Sequence, residues 1–475
     1  MAVALVVLVY ALQLGFIIRA LLRSALSPVA RLGWVMVISA LPGVGIAAYL
    51  MFGEVRLHRA KRQRLAEVRS QLSAVVEAGR SRAVTVRGPW HPAFASGTAT
   101  SAFLPLAGNR ARLLPEGDAM IEDLLDAIAE AQDHVHVQFY IWLPDHTGTR
   151  VARALIAART RGVACRVLVD DHGARHLIRS PLWSEMSDAG VTLVRASPVG
   201  NPLLSSLTQR LDLRNHRKIV VIDNRLSWCG SRNCADAAFR IKARYAPWVD
   251  ILMRIEGPIV RQQQAIFLQD WMTYHSEDLS HLLAAPLDDE TDGPVIAQAI
   301  ASGPDDLQTS PSETLCAMIY AAQERLTLTT PYYVPNTALH SAIMAASGRG
   351  VDVTLILPAR NDNRVIATAS ESLYHDMLRA GVRIMAFTEG LIHSKIVTVD
   401  GQLSMIGSTN LDHRSFDLNY ENTLLMLCEN VTAALDDRQR GYIDRSRAVT
   451  LDEVEGWSML RRLRNNTVAL ASPLL

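Results

Sequence analysis

Apolar and polar residues follow one of two periods along most of this chain, and the order of those periods occurs twice. Met120 to Asp133 has apolar positions at helical spacing and runs into the alternating HVHVQFYIW. Pro311 to Glu324 is a second such helix, running into LTLTTPYYVP. The helical ALIAARTRG then precedes the strand-like VACRVLVD, as AIMAASGRG precedes VDVTLILP; MSDAGVTLV matches MLRAGVRIM, and HRKIVVID matches HSKIVTVD. Each copy predicts helix, strand, helix, strand, helix, strand, strand, an α/β layered unit used twice. The copies differ by an insertion in the first around NPLLSSLTQRL, either a flap over a site or surface decoration.

The N-terminus follows neither period. Ala2 to Leu22 carries one charge, Arg19, and Leu32 to Phe52 carries none, so each run is long enough to cross a hydrocarbon layer of about 30 Å as a helix. The pattern predicts an α-helical membrane hairpin. A cleaved signal peptide would need a basic start, and here the apolar run begins at Met1. Two buried core helices are the alternative, and Pro42 and the glycines of the second run sit poorly in them. Arg56, Arg59, Lys61, Arg62 and Arg64 follow the second run and outnumber the basic residues between the runs, which places the body of the protein, and both termini, on the cytoplasmic side.

Composition narrows the chemistry. The chain has 475 residues, 49% of them hydrophobic, enough for a large aliphatic core. Its net charge of +1 supplies no global field for nucleic acid, so no nucleic-acid partner is expected and phosphate binding must be local. The five cysteines, Cys165, Cys229, Cys234, Cys316 and Cys428, form no CxxC pair, which argues against a zinc site or disulfide framework and for a reduced compartment. Cys229 and Cys234 read as small buried apolar residues.

The chemistry-bearing signal is a motif present twice, H-x-K-x4-D-x6-G-S-x-N. It comprises His216, Lys218, Asp223, Gly230, Ser231 and Asn233, and again His393, Lys395, Asp400, Gly407, Ser408 and Asn410. On a strand His and Lys at i and i+2 face the same way, and the following strand ends where glycine allows close approach and Ser and Asn offer neutral hydrogen-bonding groups. Two such edges brought together suit a phosphodiester. One imidazole attacks phosphorus, the other imidazolium protonates the leaving oxygen, and Lys and Asn hold the non-bridging oxygens, with no metal or other cofactor required. Two histidines in opposite protonation states need separate orienting partners. Asp250 follows His216 in sequence and Glu421 follows His393, and each could instead be an ordinary surface carboxylate. Asp223 and Asp400 end apolar strands, the place of a turn residue rather than an acid. Arg214, Arg217, Arg232 and Arg414 crowd the motifs, either contacting lipid phosphate or serving structure. Arg461, Arg462 and Arg464 between Trp457, Leu460 and Leu463 suit a helix on anionic lipid or a packed terminal helix.

The doubled motif resembles the phospholipase D superfamily, and the hairpin, RNHRKIVVID, TPYYVPN, NLDHRSFDLNYEN and the terminal SPLL narrow the resemblance to the bacterial cardiolipin synthases. It implies two phospholipase D-like α/β/α halves related by a pseudo-two-fold, with the site at their junction. The expected organisation is a membrane hairpin at 1–53, a basic juxtamembrane segment and linker at 54–110, a first half at 111–285 and a second at 286–475. The implied activity is transfer of a phosphatidyl group between two phosphatidylglycerol molecules at the bacterial inner membrane, giving cardiolipin and glycerol through a phosphatidyl-histidine. His216, Lys218, Asp223, His393, Lys395 and Asp400 form the implied catalytic set. Ser231, Asn233, Ser408 and Asn410 bind substrate, and Asp250 and Glu421 match the carboxylates that orient the histidines. The repeat leaves the histidine roles open; the resemblance makes His216 the nucleophile and His393 the acid and then base. Relatives often have Gly-Gly where Gly230 and Ser231 stand here. A hydrolase or nuclease-type phosphodiesterase using water would need the same motif, and a non-enzymatic scaffold would not need all six positions twice.

Overall fold

A computed structural model describes residues 2–23, 26, 28–56, 58–78, 82–198, 210, 212–284, 292–304 and 311–470. The inserted segment at 201–211, the expected boundary at 285 and 286, and the terminal SPLL fall largely or wholly outside them.

The strands of the first half are β1 (Leu106–Leu113), β2 (His134–Phe139), β3 (Ala164–Asp170), β4 (Thr192–Ala196), β5 (Arg214–Asn215), β6 (Ile219–Ile222), β7 (Leu226–Gly230), β8 (Trp248–Val249) and β9 (Leu252–Glu256). Those of the second are β10 (Val295–Ser302), β11 (Arg325–Thr329), β12 (Tyr333–Val334), β13 (Asp352–Pro358), β14 (Arg383–Phe387), β15 (Leu391–Ile392), β16 (Ile396–Val399), β17 (Leu403–Gly407), β18 (Leu411–Asp412), β19 (Asn419–Leu427) and β20 (Ser446–Val449). One sheet runs through both halves. β1 and β10 pair antiparallel at its centre, with Leu106 opposite Ala297. Outward from β1 the order is β9, β7, β6, β2, β3, β4, and outward from β10 it is β19, β17, β16, β11, β13, β14, with β20 added at that edge. The two sequences of neighbours are the same, which is the pseudo-two-fold in topological form.

Period-2 side chains sort this sheet into cores. Ile219 and Val221, with Ile396 and Ile406 of the other half, face one shared core that also holds Ile266, Phe267 and Trp271 of the helix Ile259–Tyr274. On the opposite face Val220 and Ile222 pack under the helices Ala119–Glu130 and His146–Thr160, and Val397 and Val399 pack in a separate core with the helix Thr337–Gly348. A two-faced apolar strand such as IVVI is therefore buried at all four positions.

Two expectations need correction. The segment 54–110 is no linker: its helix Arg59–Ala78 sets Val68 and Leu72 into the shared core, its helix His91–Ser101 sets Ala93 and Phe94 into the second half's core, and β1 runs across the expected edge at 110 and 111. The first apolar run is one helix, Ala2–Leu21, whereas the second breaks into Pro28–Ala40, Val44–Ala48 and a π-turn at Tyr49–Gly53. Pro42 disfavours helix for the residue before it, Gly43 takes φ +79°, and a Cβ at Gly45 would lie 2.5 Å from the Val37 carbonyl oxygen. Gln13 and the Arg19 to Glu54 ion pair at 2.7 Å hold the first helix against the second run. Among the described residues no helix is long and apolar enough to cross a membrane.

Candidate active site

The two motif histidines lie at strand ends that leave their own half. β5 pairs parallel with the start of β19, and the next residue, His216, donates its backbone N–H to Tyr420 O at 2.9 Å. β15 pairs parallel with β8, and His393 donates its N–H to Val249 O at 2.8 Å. Each histidine is thereby set beside the residue that follows on the partner strand. His216 Nδ1 is 2.9 Å from both carboxylate oxygens of Glu421, and His393 Nδ1 is 2.6 Å from Asp250 Oδ1. The carboxylates are exchanged between halves, correcting the pairing within each copy that sequence order suggested.

All four groups are buried, with Glu421 fully enclosed. Burial costs an ionised carboxylate least where donors converge on it. Ser408 Oγ and the Asn419 amide donate to Glu421, and Ser231 Oγ donates to Asp250 at 2.6 Å, so the hydroxyls of the two serines expected to bind substrate are turned to the carboxylates instead. Asp250 is held at about 2, below the usual carboxylate range despite burial, because the His393 ring and nearby cations favour its charge; Glu421 is lowered too, by His216, Lys218 and Ser408. Ser231 gives Asp250 the hydroxyl that Ser408 gives Glu421. The preceding glycines are required by packing, since a Cβ at Gly230 would meet Ile251 O at 2.2 Å and one at Gly407 would meet Asn422 O at 2.4 Å.

Lys218 and Lys395 are also buried, each donating Nζ–H to the carbonyl of its motif histidine, at 2.6 and 2.7 Å. Desolvation lowers Lys218 to about 8 and Lys395 to about 7, the latter also through the charge of Lys218, while Glu421 and Asp250 pull both upward. Desolvation also takes His216 down to about 4 against the pull of Glu421, and lowers His393. These mutual effects place both histidines, both lysines and both carboxylates in one site. Asn233 accepts from Ile141 N–H at 3.1 Å and leaves its buried Nδ2 without a partner. Asn410 lies against Ser415 Oγ at 3.1 Å with its other amide atom unpartnered; turning that amide lets Oδ1 accept from the Ser415 hydroxyl and frees Nδ2, matching Asn233. Two buried amide donors are then available to a bound phosphate.

Asp223 and Asp400 stand apart from this set, a correction to their place among the catalytic residues. Each adopts positive φ and accepts three backbone N–H groups, Asp223 from Gln132, Asp133 and His134 and Asp400 from Gln323, Glu324 and Arg325. They cap the start of β2 and β11. Of the arginines, Arg217 is bound to Asp270 at 2.6 Å and to the carbonyls of Ser302 and Glu421, and Arg414 to Asp212 at 3.1 Å. Arg232 donates to Ala235 O and Arg214 to Leu213 O.

Sequence reasoning missed the support around the histidines. Asp270 receives Arg217, Asn215 and Gln138, fixing the strand that carries His216. Its signal was a single carboxylate in the apolar stretch IFLQDWM, with an arginine inside the motif that needed an answer. The Tyr140 ring meets His216 edge-on at 4.9 Å, and Trp248 lies 4.6 Å from His393. Among the described residues no group of three or more His, Cys, Asp or Glu could hold a metal ion.

The cardiolipin synthase, PLD-like domain family matches residues 124–271 and 315–439, and the phospholipase D-nuclease N-terminal family matches 11–54. Cardiolipin synthase A of Serratia proteamaculans is 35% identical over 97% of this chain and 96% of its own, and that of Yersinia pseudotuberculosis 36% identical over the same shares. A phosphatidylserine synthase from Haemophilus influenzae has the same fold, with a TM-score of 0.61 at 14% identity over 81% of this chain and 100% of its own. A phosphodiester-shaped site built from two exchanged histidine and carboxylate pairs, and likeness along almost the whole length, place this chain in the bacterial cardiolipin synthase family of the phospholipase D superfamily.

Proposed function

We propose that this phosphatidyltransferase makes cardiolipin and glycerol from two phosphatidylglycerol molecules, with His216 as nucleophile and His393 as acid and then base. The observation that carries the roles is the histidine environment. His216 is held neutral, its Nδ1 turned to Glu421, so its Nε2 lone pair is directed to phosphorus. His393 shares its short 2.6 Å contact with Asp250, a partner that stabilises imidazolium once an anionic phosphodiester offsets the two lysines. In the first step His216 Nε2 bonds to phosphorus, the bond from phosphorus to the glycerol oxygen breaks, and His393 gives that oxygen its proton. In the second, His393 takes the proton of an acceptor hydroxyl, whose oxygen bonds to phosphorus as the histidine to phosphorus bond breaks. Lys218, Lys395, Asn233 and Asn410 hold the non-bridging oxygens, while Ser231 and Ser408 fix the carboxylates. The test is incubation with labelled phosphatidylglycerol: cardiolipin plus glycerol supports the reading, and phosphatidic acid alone overturns it.

The N-terminal elements anchor this site to the membrane, with the catalytic body on the cytoplasmic face. Support comes from large apolar side chains exposed on the N-terminal helices, among them Leu8, Leu12, Leu14, Ile18, Leu32 and Met36, a surface that suits contact with lipid. The helix Met459–Ala469 exposes Met459, Leu460 and Leu463, while Arg461 ties it to Glu371, which suits a second contact with lipid. A reporter fused after Leu475 is expected to behave as cytoplasmic; periplasmic activity would overturn this topology.

A further inference from the structure

Residues of both halves form an unneutralised basic cleft beside the site, on the His393 side. Arg244, Tyr245, Arg360, Asn361 and Arg364 line an open cavity of about 350 Å³. Its position is fixed from two sides. Tyr245 packs with the apolar cluster that includes Trp248, the ring against His393. Asn361 donates to Pro331 O at 2.7 Å, and the next residue, Tyr332, donates to Asp362 Oδ1 at 2.7 Å. Asp362 lies between the two arginines in sequence, yet its ion pair is with Lys242. Among the described residues neither Arg360 nor Arg364 has an ion-pair partner.

The His216 side differs. There Arg414 is bound to Asp212, and Arg214 lies near Asp170. Basic charge on that side is answered by the protein, whereas on the His393 side it is left open to a ligand. Transfer between two phospholipids has a matching need. The acceptor's attacking hydroxyl belongs to a headgroup that carries its own phosphodiester three carbons away, so a hydroxyl at His393 brings a second anion to the rim of the site.

We propose that Arg244, Arg360 and Arg364 form a subsite for the phosphate of the acceptor lipid, selecting an anionic phospholipid over an uncharged alcohol. This rests on the transferase reading above and adds where the acceptor sits. Guanidinium groups suit the task because they grip phosphate oxygens in pairs.

The experiment uses the full chain in detergent micelles. The donor is a labelled phosphatidyl ester of an acidic phenol, which has no hydroxyl to accept. Phosphatidylglycerol and an uncharged monoalkylglycerol compete as acceptors, and the ratio of the two products is read for the parent, for the Arg360→Ala, Arg364→Ala double variant and for the double lysine variant. The expected result is a drop of about ten-fold or more in preference for phosphatidylglycerol in the alanine variant, with partial recovery by lysine. An unchanged ratio, whether both products fall together or neither falls, would overturn the subsite. If the parent forms phosphatidic acid with neither transfer product, the transferase reading itself fails and the subsite with it.

Discussion

The two halves repeat the same six motif residues, yet neither motif histidine takes its carboxylate from its own half. The strand that ends just before His216 pairs with the strand that carries Glu421, and the strand that ends just before His393 pairs with the one that ends just before Asp250, so neither copy is a working unit alone. The surroundings then break the symmetry. His216 meets Tyr140 and a glutamate braced by Ser408 and Asn419, while His393 meets Trp248, and Lys395 Nζ lies 3.0 Å from its Nε2, a contact Lys218 does not make with His216. Duplication supplies two equivalent sets of groups; unequal neighbours allow them opposite roles.

The largest effect should come from the histidines. His216→Ala is expected to lower phosphatidyl transfer by about 10⁴-fold or more, and His393→Ala by about 10²–10⁴-fold on phosphatidylglycerol, measured as initial rates. Near-parent activity in either variant would break the division of labour.

Next come the carboxylates. Glu421→Gln and Asp250→Asn should each lower kcat by about 10²-fold or more, with the protein still folded. The crossing is read by NMR of labelled histidine: Glu421→Gln should shift the ring-nitrogen signals of His216 and Asp250→Asn those of His393. The opposite assignment would restore pairing within copies.

The pH profile of kcat/KM tests the electrostatics. On the alkaline side His393, whose charged form burial and Lys395 disfavour, loses the proton it must donate, and above about 7 to 8 Lys395 and then Lys218 lose their protons and their hold on phosphate, so activity should fall in stages; below about 4 His216 is protonated and attack stops. Lys395→Arg, which keeps its charge, should move the alkaline fall upward. Because the site offers ammonium and amide donors, activity should survive a strong chelator, and loss restored by one divalent ion would contradict that.

The smallest effect on chemistry should come from Asp223→Ala. It leaves two exposed N–H groups and the partly buried N–H of His134 without their acceptor and should cost about 1–3 kcal/mol in denaturant titration, with kcat near the parent's.

Much of this was legible because the signals were local. Strand periodicity, a duplicated order of elements and six spaced motif residues can all be read within short windows. The crossing was not, since Asp250 and Glu421 follow the histidines in sequence and only pairing between β5 and β19, and between β15 and β8, decides which ring each reaches. The second apolar run misled by its length: Pro42 and Gly43, present in the sequence, interrupt what composition alone would make continuous. Asp223 and Asp400 misled by membership in a motif, although their place at strand ends marked them as turn residues. Asp270 was hidden because its partners, Arg217, Asn215 and Gln138, come from distant segments.

The most direct test of unequal roles within an exchanged site is covalent labelling. Each histidine-to-alanine variant is offered a phosphatidyl ester of an acidic phenol, whose leaving group needs little protonation, and phosphatidylated protein is sought by intact-mass measurement. The account predicts adduct on His393→Ala and none on His216→Ala; adduct on His216→Ala and none on His393→Ala would contradict it.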